Sequence, residues 1–301
     1  MKSAVTGAYS YTGKYIAGRL LERGDQVITL TNHPNRPDPF AGRIPASPLN
    51  FKQPDRLIES LHGIDTVYNT YWVRFDRGIN TQSAAVKNTQ VLIHAASEAN
   101  VKRIVHISIT NPLLTSSLPY FRGKAAIEEI VKSSGIPYAI LRPTVLFGKE
   151  DILINNIAYL LRRFPIFAIP GDGTYKLQPV YVDDLAALAI QVSEMKENVL
   201  WDAVGPKTYT FEELVRLISR VVGVKPWLVH VPPSLALLAA QGLSLFVKDV
   251  LLTPEEVEGL MANLLVSEAA PRCTTSLDEW LFEHRVSIGK VYASELARHY
   301  G

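Results

Sequence analysis

The chain has 301 residues, 47% of them hydrophobic, and its 31 basic and 29 acidic residues leave a formal charge of only +2. That length buries a sizeable core as one large domain or two modest ones. With no run of Lys and Arg to neutralise a line of phosphates, nucleic acid is excluded as the main partner. One cysteine, Cys273, rules out an internal disulfide, and Met1-Lys2-Ser3-Ala4-Val5 enters a strand-like run without a signal-peptide pattern, so a cytoplasmic location is expected.

Taken in chain order, short β-rich runs alternate with helical patterns, the mark of βαβ units around a parallel sheet. Strands are predicted at residues 2–6, 26–31, 66–69, 103–108 and 138–142, with helices at 14–23, 55–61, 81–99 and 123–133. Gly24 and Gly135 each stand just past a last apolar turn, where a residue tolerant of positive φ ends a helix. Strands buried on both faces read as continuous apolar runs, as Ile104-Val105-His106-Ile107 and Ala139-Ile140-Leu141 do, and His106 within such a run is expected to be a satisfied core histidine.

After Phe147-Gly148 proline and glycine become frequent and longer helices take over. Thr210-Phe211-Glu212-Glu213 and Thr253-Pro254-Glu255-Glu256 both read as capping boxes. Residues 177–182 read as a strand leading into a helix capped near Asp183, a pair expected to return to the sheet. The fold class is therefore α/β: a Rossmann-type, doubly wound parallel sheet in residues 1–148, joined by 176–204, with a smaller, mostly helical lobe in 149–301, the two interleaved. The most apolar stretch, residues 234–247, is shorter than the ~20 needed to span a bilayer and is read as a buried helix, an apolar lid or a docking surface.

Directly after the first strand comes Thr6-Gly7-Ala8-Tyr9-Ser10-Tyr11-Thr12-Gly13-Lys14, opening an amphipathic helix with Ile16, Ala17, Leu20 and Leu21 on one side. Small residues at this turn let the backbone approach a pyrophosphate and aim helix N–H groups at it, so Gly7, Ser10, Tyr11, Thr12 and Gly13 are candidate cofactor contacts. At the end of the second strand, Thr31-Asn32-His33-Pro34-Asn35-Arg36 lacks the carboxylate that binds a free ribose 2′-OH. Asn32, His33 and Arg36 are placed to meet a 2′-phosphate instead, so NADP(H) is favoured over NAD(H).

Beside this turn stand Leu61-His62-Gly63-Ile64-Asp65-Thr66-Val67, Val101-Lys102-Arg103-Ile104-Val105-His106-Ile107-Ser108, Leu141-Arg142-Pro143-Thr144-Val145-Leu146-Phe147-Gly148 and Gln178-Pro179-Val180-Tyr181-Val182-Asp183-Asp184. With these segments the chain resembles the extended and atypical short-chain dehydrogenases/reductases, most nearly the group of NmrA-type regulators, isoflavone-reductase-like enzymes and the nucleotide-binding accessory subunit of mitochondrial complex I. Ser10 stands where that superfamily's signature has its middle glycine. The resemblance implies a catalytic set of Tyr120 as acid, Lys124 four residues on as its electrostatic partner and as a ribose contact, and Ser108, with Thr110 second, polarising a substrate carbonyl. Only twelve positions separate Ser108 from Tyr120, fewer than in the sugar-nucleotide members. Further cofactor contacts are placed by position: Asn50 and Phe51 beside the adenine, Asn69, Thr70 and Tyr71 beside the pyrophosphate or ribose, and Pro143, Thr144 and Val145 against the nicotinamide. Tyr71 and Trp72 read equally as pocket wall or core.

The histidines share no ligand-like spacing with one another or with Cys273, so no metal is expected. The C-terminal lobe is expected to cap the carboxyl edge of the sheet. Three functions follow: an oxidoreductase acting on a small carbonyl or enol substrate, a non-catalytic dinucleotide sensor or accessory protein with a protein partner or as a homo-oligomer, or, third, a nucleotide-sugar epimerase or dehydratase retaining NAD.

Overall fold

The computed structural model describes residues 1–300. In chain order the first elements are β1 (Lys2–Thr6), α1 (Tyr11–Glu22), β2 (Gln26–Thr31), β3 (Ala46–Pro48), α2 (Pro54–Leu61), β4 (Thr66–Asn69), α3 (Gln82–Glu98), β5 (Arg103–Ile107), α4 (Pro119–Ser133) and β6 (Tyr138–Pro143). Then come β7 (Leu146–Phe147), α5 (Leu153–Arg163), β8 (Ile166–Pro170), β9 (Lys176–Leu177), β10 (Val180–Tyr181), α6 (Val182–Ser193) and β11 (Val199–Ala203). The last are β12 (Tyr209–Thr210), α7 (Phe211–Val221), β13 (Trp227–Val231), α8 (Pro233–Val247), α9 (Pro254–Met261), α10 (Leu277–His284) and α11 (Glu295–Tyr300).

The chain forms two compact units, Met1–Pro143 with Val182–Ala203, and Thr144–Tyr181 with Val204–Gly301. The first is built on a seven-stranded sheet of order β11-β6-β5-β4-β1-β2-β3, parallel throughout. From β1 the chain winds outward through β2 and β3, then crosses back to β4 and winds the other way, so the direction reverses between β1 and β4, where such sheets bind ligands beyond their carboxyl ends. The register brings Thr6 beside Leu30 and Asn69 beside His106, aligning the ends of these strands on one edge. One face of the sheet packs Ala4, Leu30, Val67, Ile104 and Ile140 against Leu57, Leu92 and Ile127 from α2, α3 and α4. Elsewhere α1 packs on α6, and Arg19 clasps Asp183 with both Nε and Nη2, at 2.7 and 2.8 Å.

Three local expectations change. α1 begins at Tyr11 and α4 at Pro119, each about a turn earlier than the apolar period suggests; in α4 Pro119 occupies the first turn, where its missing N–H costs nothing. Residues 177–182 do not form one strand: Pro179 interrupts them, β9 pairs with β12 and β10 with β7, and the segment that returns to the large sheet is α6 with β11. The unit boundaries accordingly lie at Pro143, Val182 and Ala203.

The second unit is mostly helical. Its core joins Phe147, Ile157, Ile169, Leu214 and Leu281 around the buried Trp280, whose ring meets Phe147 edge-on and stacks on His284 at 4.1 Å. Both capping boxes form: Glu213 N–H donates to Thr210 Oγ1 at 3.1 Å and Glu256 N–H to Thr253 Oγ1 at 3.2 Å, with each glutamate reaching back to its cap.

Candidate dinucleotide site

The turn between β1 and α1 is close to the limit of backbone packing. Gly7 adopts φ +68°, and a Cβ at Gly13 would lie 2.3 Å from the Gly7 carbonyl oxygen, so only glycine lets the helix start this near the strand. Ser10 caps α1 in extended geometry, yet its side chain makes no capping bond; its oxygen accepts instead from Arg36 Nη1 at 3.1 Å. The first-turn N–H groups of an α-helix point out of its start rather than to its own carbonyls, and the first turn of α1 holds no acidic residue. An anion is what such an arrangement attracts. Beyond β2, Asn32 and His33 are exposed; burial and the neighbouring Arg36 hold the His33 imidazole below its ordinary pKa, so the local cation is Arg36.

A buried polar layer follows along the same strand ends. Thr70 donates its N–H to Thr6 Oγ1 at 2.7 Å and its hydroxyl to Thr6 O at 2.6 Å. Asn69 is fully buried, its Oδ1 accepting from Tyr71 N and its Nδ2 donating to His106 Nδ1 at 3.1 Å. An amide NH₂ only donates, so His106 carries its proton on Nε2. Burial and nearby Lys124 keep that ring neutral, well below the ordinary histidine pKa. His106 is thus a core residue, and Asn69 is held between it and the Tyr71 N–H. Phe51 and Tyr71 face each other at 5.2 Å, with Asn88 Nδ2 donating to the Tyr71 hydroxyl at 2.9 Å; Asn50 lies in the turn after β3.

Tyr120 and Lys124 occupy one face of α4, as their spacing predicts, and both converge on Trp72. The Tyr120 ring meets Trp72 edge-on at 5.5 Å and Lys124 Nζ lies 4.9 Å from the indole centroid. Gly123 makes this possible, since a Cβ there would sit 2.6 Å from the indole edge. Lys124 is buried, donates to Ile107 O at 3.0 Å, and is drawn down to a pKa of about 7 by burial, against the opposing pull of Glu128. The Ser108 hydroxyl donates its one proton to Glu128 Oε1 at 2.6 Å. Glu128 also binds Arg142 Nε and Nη2 at 2.8 and 2.5 Å. Thr110 is buried, its N–H donating to Pro143 O. Thr144 and Val145 fall in the second unit, where the Thr144 hydroxyl donates to Gln178 O and Val145 packs on the core.

The residues fit a dinucleotide on two observations: the glycine cradle that a Cβ would fill, and the buried Trp72 Nε1 donor, which has no acceptor among the described residues. The residues not anticipated from sequence are Glu128, Arg142 and Gly123. Of these only Glu128, four positions from Lys124 on the same helix, left a local signal.

A seven-stranded parallel sheet with a glycine cradle at its first βα turn defines a dinucleotide-binding Rossmann protein of the short-chain dehydrogenase/reductase type. The chain belongs to the NAD dependent epimerase/dehydratase family, whose model matches residues 3–200. Among curated proteins it is 22% identical over 289 residues to NADH dehydrogenase [ubiquinone] 1 alpha subcomplex subunit 9 of Arabidopsis thaliana, covering 89% of this chain and 71% of that protein. The mouse protein of the same name is 26% identical, with 72% and 60% covered, so the chain spans less than two thirds of that relative. Photosystem II assembly factor Ycf39 of Cyanophora paradoxa is 26% identical, with 77% and 72% covered. Among solved structures, the Citrobacter triphenylmethane reductase complexed with NADP(H) superposes with a TM-score of 0.75 at 18% identity, covering 95% of this chain and 100% of that one. A nucleoside-diphosphate-sugar epimerase of Staphylococcus aureus gives 0.73 at 17%, covering 94% and 100%. At those identities the likeness is one of fold.

Proposed function

We propose that the chain holds NADP(H) and acts through the bound state, as an accessory or assembly protein, rather than through turnover. The observation that carries this reading is the commitment of the Ser108 proton to Glu128, beside a buried Lys124 that gives one of its three N–H donors to Ile107 O beneath Trp72. The expected donor to a substrate carbonyl is thereby withdrawn. The names of the relatives, a complex I subunit and a photosystem II assembly factor, support a protein partner for this chain too. We assign pyrophosphate binding to the first-turn N–H groups of α1, adenosine 2′-phosphate binding to Arg36, and the wall beside the adenine to Phe51 and Tyr71. The cytoplasmic placement expected from the sequence is part of the same proposal.

One observation favours a second reading, the reduction of a small apolar carbonyl or enol compound: Tyr120 and Lys124 share a helix face, and a lysine near neutrality is suited to support proton transfer from a phenol. A bound nicotinamide supplies hydride chemistry; in this reading Tyr120 supplies the proton at its hydroxyl, and Lys124 holds the charge beside it. Calorimetric binding of NADPH combined with a carbonyl panel separates the two. Binding without NADPH oxidation supports the holding role, whereas oxidation that Tyr120→Phe abolishes overturns it in favour of the reductase.

A further inference from the structure

The second unit carries a helix whose composition its packing does not account for. α8 has no charged residue in its fifteen positions, PSLALLAAQGLSLFV. At about 100° per residue, Pro233, Ala236, Leu237, Ala240, Leu243, Ser244 and Val247 fall on one side, and these are the buried or half-buried positions. That side accounts for the contact of α8 with β8. The opposite stripe is apolar as well: Leu235 is 53%, Leu238 63% and Leu245 82% exposed, interrupted only by Ser234, Gln241 and small residues. A surface helix facing water carries charge on that side. β13, which runs through Pro232 straight into α8, adds to the anomaly. On the parallel β8–β13 ribbon Phe167, Ile169 and Leu228 turn to the core, while the registered pair Ile166 and Trp227 turn outward, 55% and 75% exposed.

We propose that the outer stripe of α8 and the outward face of the β8–β13 ribbon dock this unit on the surface of an anionic membrane, α8 lying in the headgroup–acyl boundary. Charge selects this occupant. Between Leu217 and Lys248 the formal charges are Arg220, Lys225 and Lys248, all exposed, with no Asp or Glu; Asp249, which follows, is buried, and Arg216, which precedes, is paired with Glu212. An exposed tryptophan beside such a helix has the amphipathic character that settles at a headgroup interface. A protein partner needs a polar rim of hydrogen-bonding groups, which the outer stripe, with Ser234 and Gln241 only, does not offer; lipid needs none. Among the described residues no helix is long and apolar enough to cross a membrane, so the docking is peripheral.

The test is flotation of the full chain with phosphatidylcholine vesicles with and without phosphatidylglycerol, together with tryptophan emission. The expected result is flotation with the phosphatidylglycerol vesicles and a blue shift that Trp227→Phe removes. Leu238→Asp with Leu245→Asp is expected to lower the bound fraction at least about tenfold, and Lys225→Glu with Lys248→Glu to weaken it most at low salt, where the charges are least screened. Both pairs of positions are exposed, so the thermal midpoint and NADPH affinity are expected to stay unchanged, which separates loss of docking from misfolding. Wild-type protein that fails to float with either vesicle overturns the proposal, as does flotation that the leucine pair does not reduce. Self-association or capture by a soluble protein without vesicle binding overturns it equally.

Discussion

Ser108 gives its only hydroxyl proton to Glu128 across 2.6 Å, and the same carboxylate grips the Arg142 guanidinium with both oxygens. A residue whose position beyond β5 suggests catalysis is therefore one leg of a buried Ser–Glu–Arg bridge joining β6 and α4.

Breaking this bridge costs stability. With Glu128 buried and Arg142 partly exposed, Glu128→Gln is expected to lose about 2–3 kcal/mol, less than the full cost of orphaning a buried charge because water reaches the guanidinium. Urea unfolding measures it; a loss below about 1 kcal/mol would mean the bridge is not held in solution.

Gly13→Ala tests the cradle. The added carbon meets the Gly7 carbonyl, a backbone atom that cannot step aside without opening the turn. NADPH affinity is expected to fall by more than about tenfold. Unchanged affinity in calorimetry would place the cofactor elsewhere.

Arg36→Ala probes cofactor choice. Removing a charge-assisted hydrogen bond to a phosphate of about 1.5–3 kcal/mol lowers NADPH affinity about tenfold to a hundredfold and leaves NADH nearly unaffected. Equal losses for the two nucleotides would show that Arg36 holds the loop and reads no 2′-phosphate.

Much of the fold was legible because strands buried on both faces declare themselves: residues 2–6, 26–31 and 66–69 form strands over those same positions. Capping boxes are equally local, and both formed. What escaped depends on distant partners. Ser108 meets Glu128 twenty positions away, and no periodicity records that bond. Trp72 reaches Lys124 only because residue 123 lacks a side chain, a fact about a neighbouring helix. The strand expected at 177–182 failed where Pro179 removed a ladder donor, so two short pairings replaced one long one.

Lys124 makes stability depend on pH in a definite sense. Its folded pKa is about 7, below the ~10.4 of an unfolded lysine, so between these values the unfolded chain binds the extra proton and this group's contribution to stability rises with pH. Below pH ~7 both states are charged and the burial cost is fully present. Lys124→Met is therefore expected to gain more in thermal midpoint, relative to wild type, at pH 6 than at pH 9. A pH-independent difference would show that the ammonium is not desolvated.

The account rests on a pyridine dinucleotide lying across the ends of β1 and β4 with its pyrophosphate at the start of α1. Titration calorimetry of the wild-type chain with NADP⁺, NADPH, NAD⁺ and NADH tests it most directly. We expect saturable one-to-one binding, tightest for the phosphorylated pair; no detectable heat with any of the four would contradict it.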